Sequence, residues 1–326
     1  MSARAWHGIA LAVVAGAAAI ADPVAAQSYP TRPVRLIVAY APGGSTDILA
    51  RYLGVKLTEA WGQQVVIDNR PGGGGIIGTV IVQNANPDGY TLLMGTNGSH
   101  GINSSLFQKL PYDAVKDFAP VTVIAAVPMV LVVNANNPAK TVAELVATAK
   151  SLGDRMNYGS AGTGSTGHLA AEIFKSATGI KPVHLPYKSD GPVMVDLIGG
   201  RFAFSFSNMP ATVAHIQGGR VRALGVSFRE RSPALPDVPT IIEAGVPGFE
   251  IIPWYGVLAP AATPRAIVAK LGADINRVLG QPDFRERLSG LGATALGGTP
   301  ERFAELIRSD VAKYAKAVKD SGTKVD

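Results

Sequence analysis

Val38–Leu53, VAYAPGGSTDILARYL, runs from branched apolar residues through glycines and hydroxyls into a segment with leucines four apart. Leu49, Leu53 and Leu57 mark a helix with one apolar face. Immediately upstream, VRLIVA (Val34–Ala39) is short and rich in branched residues, the pattern of a buried strand. Asp47 stands just before the leucines and is the expected N-cap. The stretch has no Cys, no Lys and no GK[ST] signature. What it offers is a glycine-rich turn at a helix start, where unpaired backbone N–H groups carry about half a positive charge.

The same alternation continues outward. Gln64–Asp68 reads as a second strand, Pro71–Gly75 as a glycine-rich turn before another helix, and Tyr90–Met94 as a third strand. This βαβαβ order is the mark of a mostly parallel sheet covered by helices. The pattern then restarts. Strands are expected at Val127–Val133, Arg155–Gly159, Val183–Leu185, Phe202–Phe206 and Ala223–Val226. Helices are expected at Thr141–Leu152, capped by Thr141, and at His168–Ala177. From Trp254 come one more strand and two amphipathic helices, Pro264–Leu279 and Pro300–Val318. No linker rich in Pro, Ser or charge separates the halves, so the expectation is two α/β lobes joined by crossing strands, with a cleft between them.

Asn157–Glu172, NYGSAGTGSTGHLAAE, repeats the opening construction in the second half: strand, Gly/Ser/Thr loop, helix. Glycines let an anion approach the backbone, and hydroxyls add donors. Two such helix starts facing across a cleft would clamp a carboxylate without any arginine. Ordinary tight turns favour the same residue types, so one loop alone does not distinguish the two readings; its recurrence in both halves gives the clamp its weight. His168 falls in the first turn of this second helix, and Tyr40 and Trp254 are aromatic candidates for the cleft wall.

Other chemistries fit less well. Gly162, Gly164 and Gly167 match GxGxxG, with Asp190 downstream, the outline of a dinucleotide fingerprint. That match lies in the second half of an exported chain, and the following strand contains Pro186. GxSxG fails around Ser165 because position 163 is Thr. Ser165 and His168 are the hydroxyl–imidazole pair an enzyme reading would use, and their closeness at one helix start gives poor geometry. His100, His168, His184 and His215 are far apart and none forms HExxH. No catalytic residue, metal site or cofactor is assigned.

Composition narrows the setting. Met1–Gly8 carries Arg4 and His7, Ile9–Ala21 is small and apolar, and Asp22-Pro23 precedes Val24-Ala25-Ala26. This is the layout of a secretory signal over residues 1–26, cleaved near Ala26–Gln27, so the mature chain is expected to be exported. The apolar run is too short to span a bilayer comfortably. With no cysteine in the chain, stability rests on packing rather than disulfides. Losing Arg4 and Asp22 leaves the net charge at +6, a field mildly favourable to anions. The basic residues are scattered singly, without the stripe and interleaved aromatics of a nucleic-acid surface.

The chain resembles the Bug family, the periplasmic solute-binding receptors of tripartite tricarboxylate transporters. The matching segments are YPTRPVRLIVAYAPGGSTDILAR, VVIDNRPGGGGIIGT, NPDGYTLLMGT, LPYDAVKDFAPVT, NYGSAGTGSTGHLAAE, HLPYKSDGP, LIGGRF, ALPDVPTIIEAGVPGFE and WYGVLAPAATP. They cover nearly all of the mature chain, in order. The resemblance implies a two-lobed periplasmic binding protein of the second structural type, each lobe a mixed β-sheet flanked by helices. Residues 27–125 and 250–326 would form one lobe and 126–249 the other. It further implies a small carboxylate ligand, membrane transporter subunits as partners, no enzymatic turnover and a monomeric state.

Carried onto this chain, the ligand loops are Tyr40–Asp47 (Tyr40, Pro42, Gly43, Gly44, Ser45, Thr46, Asp47) and Ser160–His168 (Ala161, Gly162, Thr163, Gly164, Ser165, Thr166, His168). Asn97, Ser99 and Asn208 lie at further strand ends expected to face the cleft. One departure stands out. After PYK the family usually carries glycine and another small neutral residue, whereas this chain has Ser189-Asp190. An Asp190 facing the cleft would repel a second carboxylate and favour an amine, ring N–H or hydroxyl.

Overall fold

The computed structural model describes residues 29–323. The expected secretory leader and its cleavage point lie outside the described residues. Among the described residues, eleven strands form two sheets. The first contains β1 (Val34–Val38), β2 (Val65–Asn69), β3 (Thr91–Thr96), β4 (Phe118–Ala126), β10 (Trp254–Pro260) and β11 (Thr294–Ala295), in the order β11-β4-β10-β3-β1-β2. The second contains β5 (Met129–Asn134), β6 (Asn157–Ser160), β7 (Val183–Pro186), β8 (Phe204–Asn208) and β9 (Val221–Val226), in the order β7-β6-β8-β5-β9.

The helices are α1 (Ser45–Trp61), α2 (Ile76–Gln83), α3 (Asn103–Leu106), α4 (Val142–Leu152), α5 (Thr166–Thr178), α6 (Asp190–Ile198), α7 (Met209–Gln217), α8 (Arg265–Leu279), α9 (Pro282–Gly290) and α10 (Pro300–Ser321). Among the described residues no helix is long and apolar enough to cross a membrane.

The βαβ reading holds where crossover helices exist: β1 pairs in parallel with both β2 and β3, and β6 with both β7 and β8. Beyond them each sheet is mixed. β10 runs antiparallel to β3 and β4, and β5 antiparallel to β8 and β9. The central strands read as continuous apolar runs because helices cover both faces; every residue of β10 is buried.

Each sheet with its helices is one lobe of a two-lobed α/β fold. The chain passes from the first sheet to the second between β4 and β5, and back between β9 and β10. The two passages touch, with the Val127 N–H donating to the Pro253 carbonyl at 2.9 Å. Two neighbouring extended segments form a narrow connection about which lobes can turn.

Several local expectations need correction. Asp47 is not the N-cap of α1; Gly44 holds that position and the helix begins at Ser45. Asp47 instead accepts the Gly43 N–H at 3.0 Å and binds Arg51 and Asn69. Gly43, at φ +80°, turns the chain out of β1 in a conformation that L side chains rarely adopt. Helix α5 starts two residues earlier than expected, with Ser165 as N-cap accepting the His168 N–H. Residues 127 and 128 belong to the passage between lobes, so β5 starts at Met129.

Candidate functional site

Four helices point their N-termini at one enclosed space between the lobes. Its lining is Tyr40, Gly44, Ser45, Thr46, Thr96, Ala161, Ser165, Thr166, Ser189, Asp190, Asn208 and Tyr255. Gly44 to Thr46 are the cap and first turn of α1, and Ser165 and Thr166 those of α5. Ser189 and Asp190 start α6, and Asn208 is the N-cap of α7. Of the four caps only Ser165 accepts a hydrogen bond from its own helix; those of α1, α6 and α7 make no side-chain cap bond. Backbone N–H groups and the positive ends of the helix dipoles therefore converge on a space whose lining, among the described residues, holds no Lys, Arg or His.

The lobes are shut on this space. Ser45 Oγ donates to the Asn208 carbonyl at 3.3 Å and accepts the Ala211 N–H at 3.1 Å. The Ala41 N–H donates to the Lys188 carbonyl at 3.0 Å. Thr166 Oγ1 donates to Asn97 Oδ1 at 2.8 Å. The cavity volume is about 20 Å³, room for about one water, so a larger guest enters only when the lobes part. Beside it lies a wider recess of about 230 Å³, lined by Gly72–Gly75, Phe107, Gly162, Thr163, Tyr187 and one basic residue, Lys188, with Tyr40 and Ala161 shared between the two spaces.

Of the residues expected from the sequence, Tyr40, Gly44, Ser45, Thr46, Ala161, Ser165, Thr166, Asp190 and Asn208 line the inner cavity. Gly162 and Thr163 line the recess instead. Pro42, Gly43 and Gly164 shape the loops without lining either space, and Asp47 braces the first loop from behind. Asn97 is held between Thr166 and the Tyr314 hydroxyl. Ser99 turns back onto its own loop, donating to the Thr96 carbonyl at 3.1 Å. Trp254 packs edge-on against Phe303 and donates to Asp310, leaving the cavity to its neighbour Tyr255. Strand geometry sends adjacent side chains to opposite faces.

His168 also falls outside the lining. Its ring stacks on His184 at 4.2 Å, and its Nδ1 accepts the Gly164 N–H at 3.4 Å. Burial lowers its pKa to about 4, so the imidazole is neutral at pH 7. Ser165 Oγ receives the His168 main-chain N–H, and the histidine ring is committed elsewhere. The glycine fingerprint has a packing cause at its last position: a side chain at Gly167 would collide with the Phe206 carbonyl.

Asp190 is buried in the cavity at 4% exposure. Asn208 Nδ2 donates to its Oδ2 at 3.0 Å. Burial pushes the carboxyl above the usual carboxylate range, opposed by contacts with Asn208 and Ser45. Sequence reasoning missed Thr96, Ser189 and Tyr255. Ser189 was visible only as the neighbour of Asp190, while Thr96 and Tyr255 sit on strands buried on both faces, where composition does not tell cavity from core.

Two mixed-sheet lobes closed over a cavity ringed by helix N-termini define a solute-binding protein of the periplasmic type. The family described as Tripartite tricarboxylate transporter family receptor matches residues 49–323, and the chain belongs to that family. Protein BugT of Bordetella pertussis is 38% identical over 309 residues, 94% of this chain and 95% of the relative. A structure described as R. palustris Rpa4515 with adipate superposes with a TM-score of 0.88 at 39% identity, covering 90% of this chain and 98% of that one. MatC (Rpa3494) from Rhodopseudomonas palustris with bound malate gives a TM-score of 0.86 at 34% identity, covering 89% and 100%.

Proposed function

We propose that this chain captures a small organic carboxylate between its lobes in the periplasm and delivers it to the membrane subunits of a tripartite tricarboxylate transporter. The observation that carries the reading is the convergence of four helix N-termini on one cavity without a basic side chain. Carboxylates in two similar structures, adipate in one and malate in the other, support it.

In this reading residues 27–125 and 250–326 form one lobe and 126–249 the other, turning about the Val127–Pro253 contact. Gly44–Thr46 and Ala161–Thr166 hold the carboxylate directly or through water, and the rest of the ligand extends past Tyr40 and Ala161 toward the recess. A ligand that touches both lobes only when they are closed shifts the population to the closed form. No bond is made or broken, and the receptor acts as a monomer.

A thermal-shift screen of the mature protein against mono-, di- and tricarboxylates, amino acids and aromatic acids tests this. At least one acid should raise the melting temperature by several degrees and be recovered unchanged. Binding stabilises by about 2.7 kcal/mol at one hundred times Kd. Conversion of the acid to a product would replace the receptor with an enzyme.

A further inference from the structure

Asp190 is a buried carboxyl with no basic side chain beside it. It lies at the first position of α6 and faces the tip of α1 across the lobe interface. Among the described residues no Lys, Arg or His shares the cavity, and Asp190 forms no salt bridge. The neutral amide of Asn208 donates to it, and Ser45 at the tip of α1 is its other hydrogen-bonding neighbour. Beside it, Ser189 Oγ and Asn208 Oδ1 are buried, line the same cavity and have no hydrogen-bond partner among the described residues. Ser189 is 1% exposed and Asn208 8%.

These groups have one chemistry in common. A carboxylate and a free amide oxygen are acceptors, and a serine hydroxyl can accept as well. The Asp190 end of the cavity therefore presents acceptors, while the tips of α1 and α5 present donors. A carboxylate removed from water must be paired or well hydrogen-bonded; contacts with Asn208 and Ser45 meet part of that need at Asp190, and an ammonium would meet the rest and balance the charge. A hydroxyl would supply a hydrogen bond but leave the charge in place. A second carboxylate would meet Asp190 at close range and be repelled.

We propose, building on the carboxylate-receptor reading above, that the ligand is an amine-bearing carboxylate. Its carboxylate lies against the tips of α1 and α5 and its ammonium against Asp190, Ser189 Oγ and Asn208 Oδ1. Asp190 then takes the place that one carboxylate of a diacid would fill among the converging helix tips, and a zwitterion completes the charge balance.

The test is titration calorimetry of the mature protein at pH 7.5 with two matched series. One is the straight-chain diacids from succinate to adipate; the other is the ω-amino acids of the same lengths, from 4-aminobutanoate to 6-aminohexanoate, with α-amino acids alongside. Wild type should bind its best amino acid at least tenfold more tightly than any diacid. D190N and D190G, two variants of different size, should each shrink that preference at least tenfold. A wild type that prefers a diacid, or a preference unchanged in both variants, overturns the proposal and leaves the carboxylate receptor standing. If neither wild type nor either variant binds any member of the two series, the proposal fails, and the carboxylate reading is decided separately by the broader thermal-shift panel.

Discussion

Thr166, at the first position of α5, donates its hydroxyl to Asn97 Oδ1 at 2.8 Å, and Asn97 Nδ2 in turn donates to the Tyr314 hydroxyl at 2.9 Å. The bond ties the helix tip of one lobe to the loop after β3 in the other. Thr166→Val keeps the shape and removes the donor, leaving the buried Asn97 oxygen without a partner. Such a loss costs about 1–3 kcal/mol. The ligand Kd should rise about 5- to 150-fold, since each 1.4 kcal/mol is tenfold. Calorimetry on the variant checks this, and an unchanged Kd would remove the bond from the closing mechanism.

Gly44 tests closure by sterics. Its φ of −83° suits any residue, so alanine strains nothing in the open form. In the closed form a Cβ there would sit 2.9 Å from Ser189 Cβ and 3.3 Å from Ser189 Oγ. Gly44→Ala should leave the fold intact and hold the lobes apart, weakening ligand binding at least tenfold. Small-angle scattering should then show the variant failing to contract when saturating ligand is added to wild type and variant alike.

Asp190 should cost the unliganded protein stability. Its carboxyl is raised in the folded state by burial, so the stability it contributes is complete below the unfolded value near 3.8 and is lost as pH rises through the folded pKa. At pH 7 the neutral amide introduced by D190N escapes that loss, and the variant should melt about 2–6 °C higher than wild type without ligand. Near pH 4 the difference should close. Equal melting temperatures at pH 7 would show that the charge is compensated after all.

His100 should shape the acid limb of the stability curve. It is fully buried, with Nδ1 2.9 Å from Ser99 Oγ and its ring edge-on to Phe118. Burial lowers its pKa to about 3. The unfolded chain therefore takes up the proton first as pH falls. The stability contributed is complete above about pH 6.5 and is withdrawn from there down to about 3, by about 1.4 kcal/mol per pH unit. Urea titrations at pH 6.5 and 5 should show a loss of roughly 2 kcal/mol from this residue. His100→Asn should lack that component, whatever its absolute stability; an equally steep acid limb would refute the assignment.

The two expected ligand loops were legible because signals agree at each: glycines with hydroxyls, then leucines or paired apolar residues at helical spacing, with a branched apolar strand ahead of the first. The helix starts themselves were not. Asp47 looks like a cap in sequence, but the turn at Gly43 moves the helix start to Ser45 and redirects the Asp47 carboxylate to the Gly43 N–H. Strand β4 has no counterpart in the sequence reading. Pro120 interrupts its pattern, and the sheet accommodates it opposite Leu258 at a register shift. Helices α6, α7 and α9 are nine residues each, short enough for tertiary packing to outweigh periodicity. The burial of Asp190 could not be read from its sequence neighbours, because it depends on α1 of the other lobe closing over it.

The most direct measurement is a crystal structure of the mature protein with the acid that gives the largest thermal shift. The carboxylate oxygens should lie within hydrogen-bond distance, directly or through one water, of backbone N–H or hydroxyl groups in both Gly44–Thr46 and Ala161–Thr166, with no basic side chain in contact. Carboxylate oxygens seated on a lysine or arginine, or bound away from both loops, would contradict that arrangement.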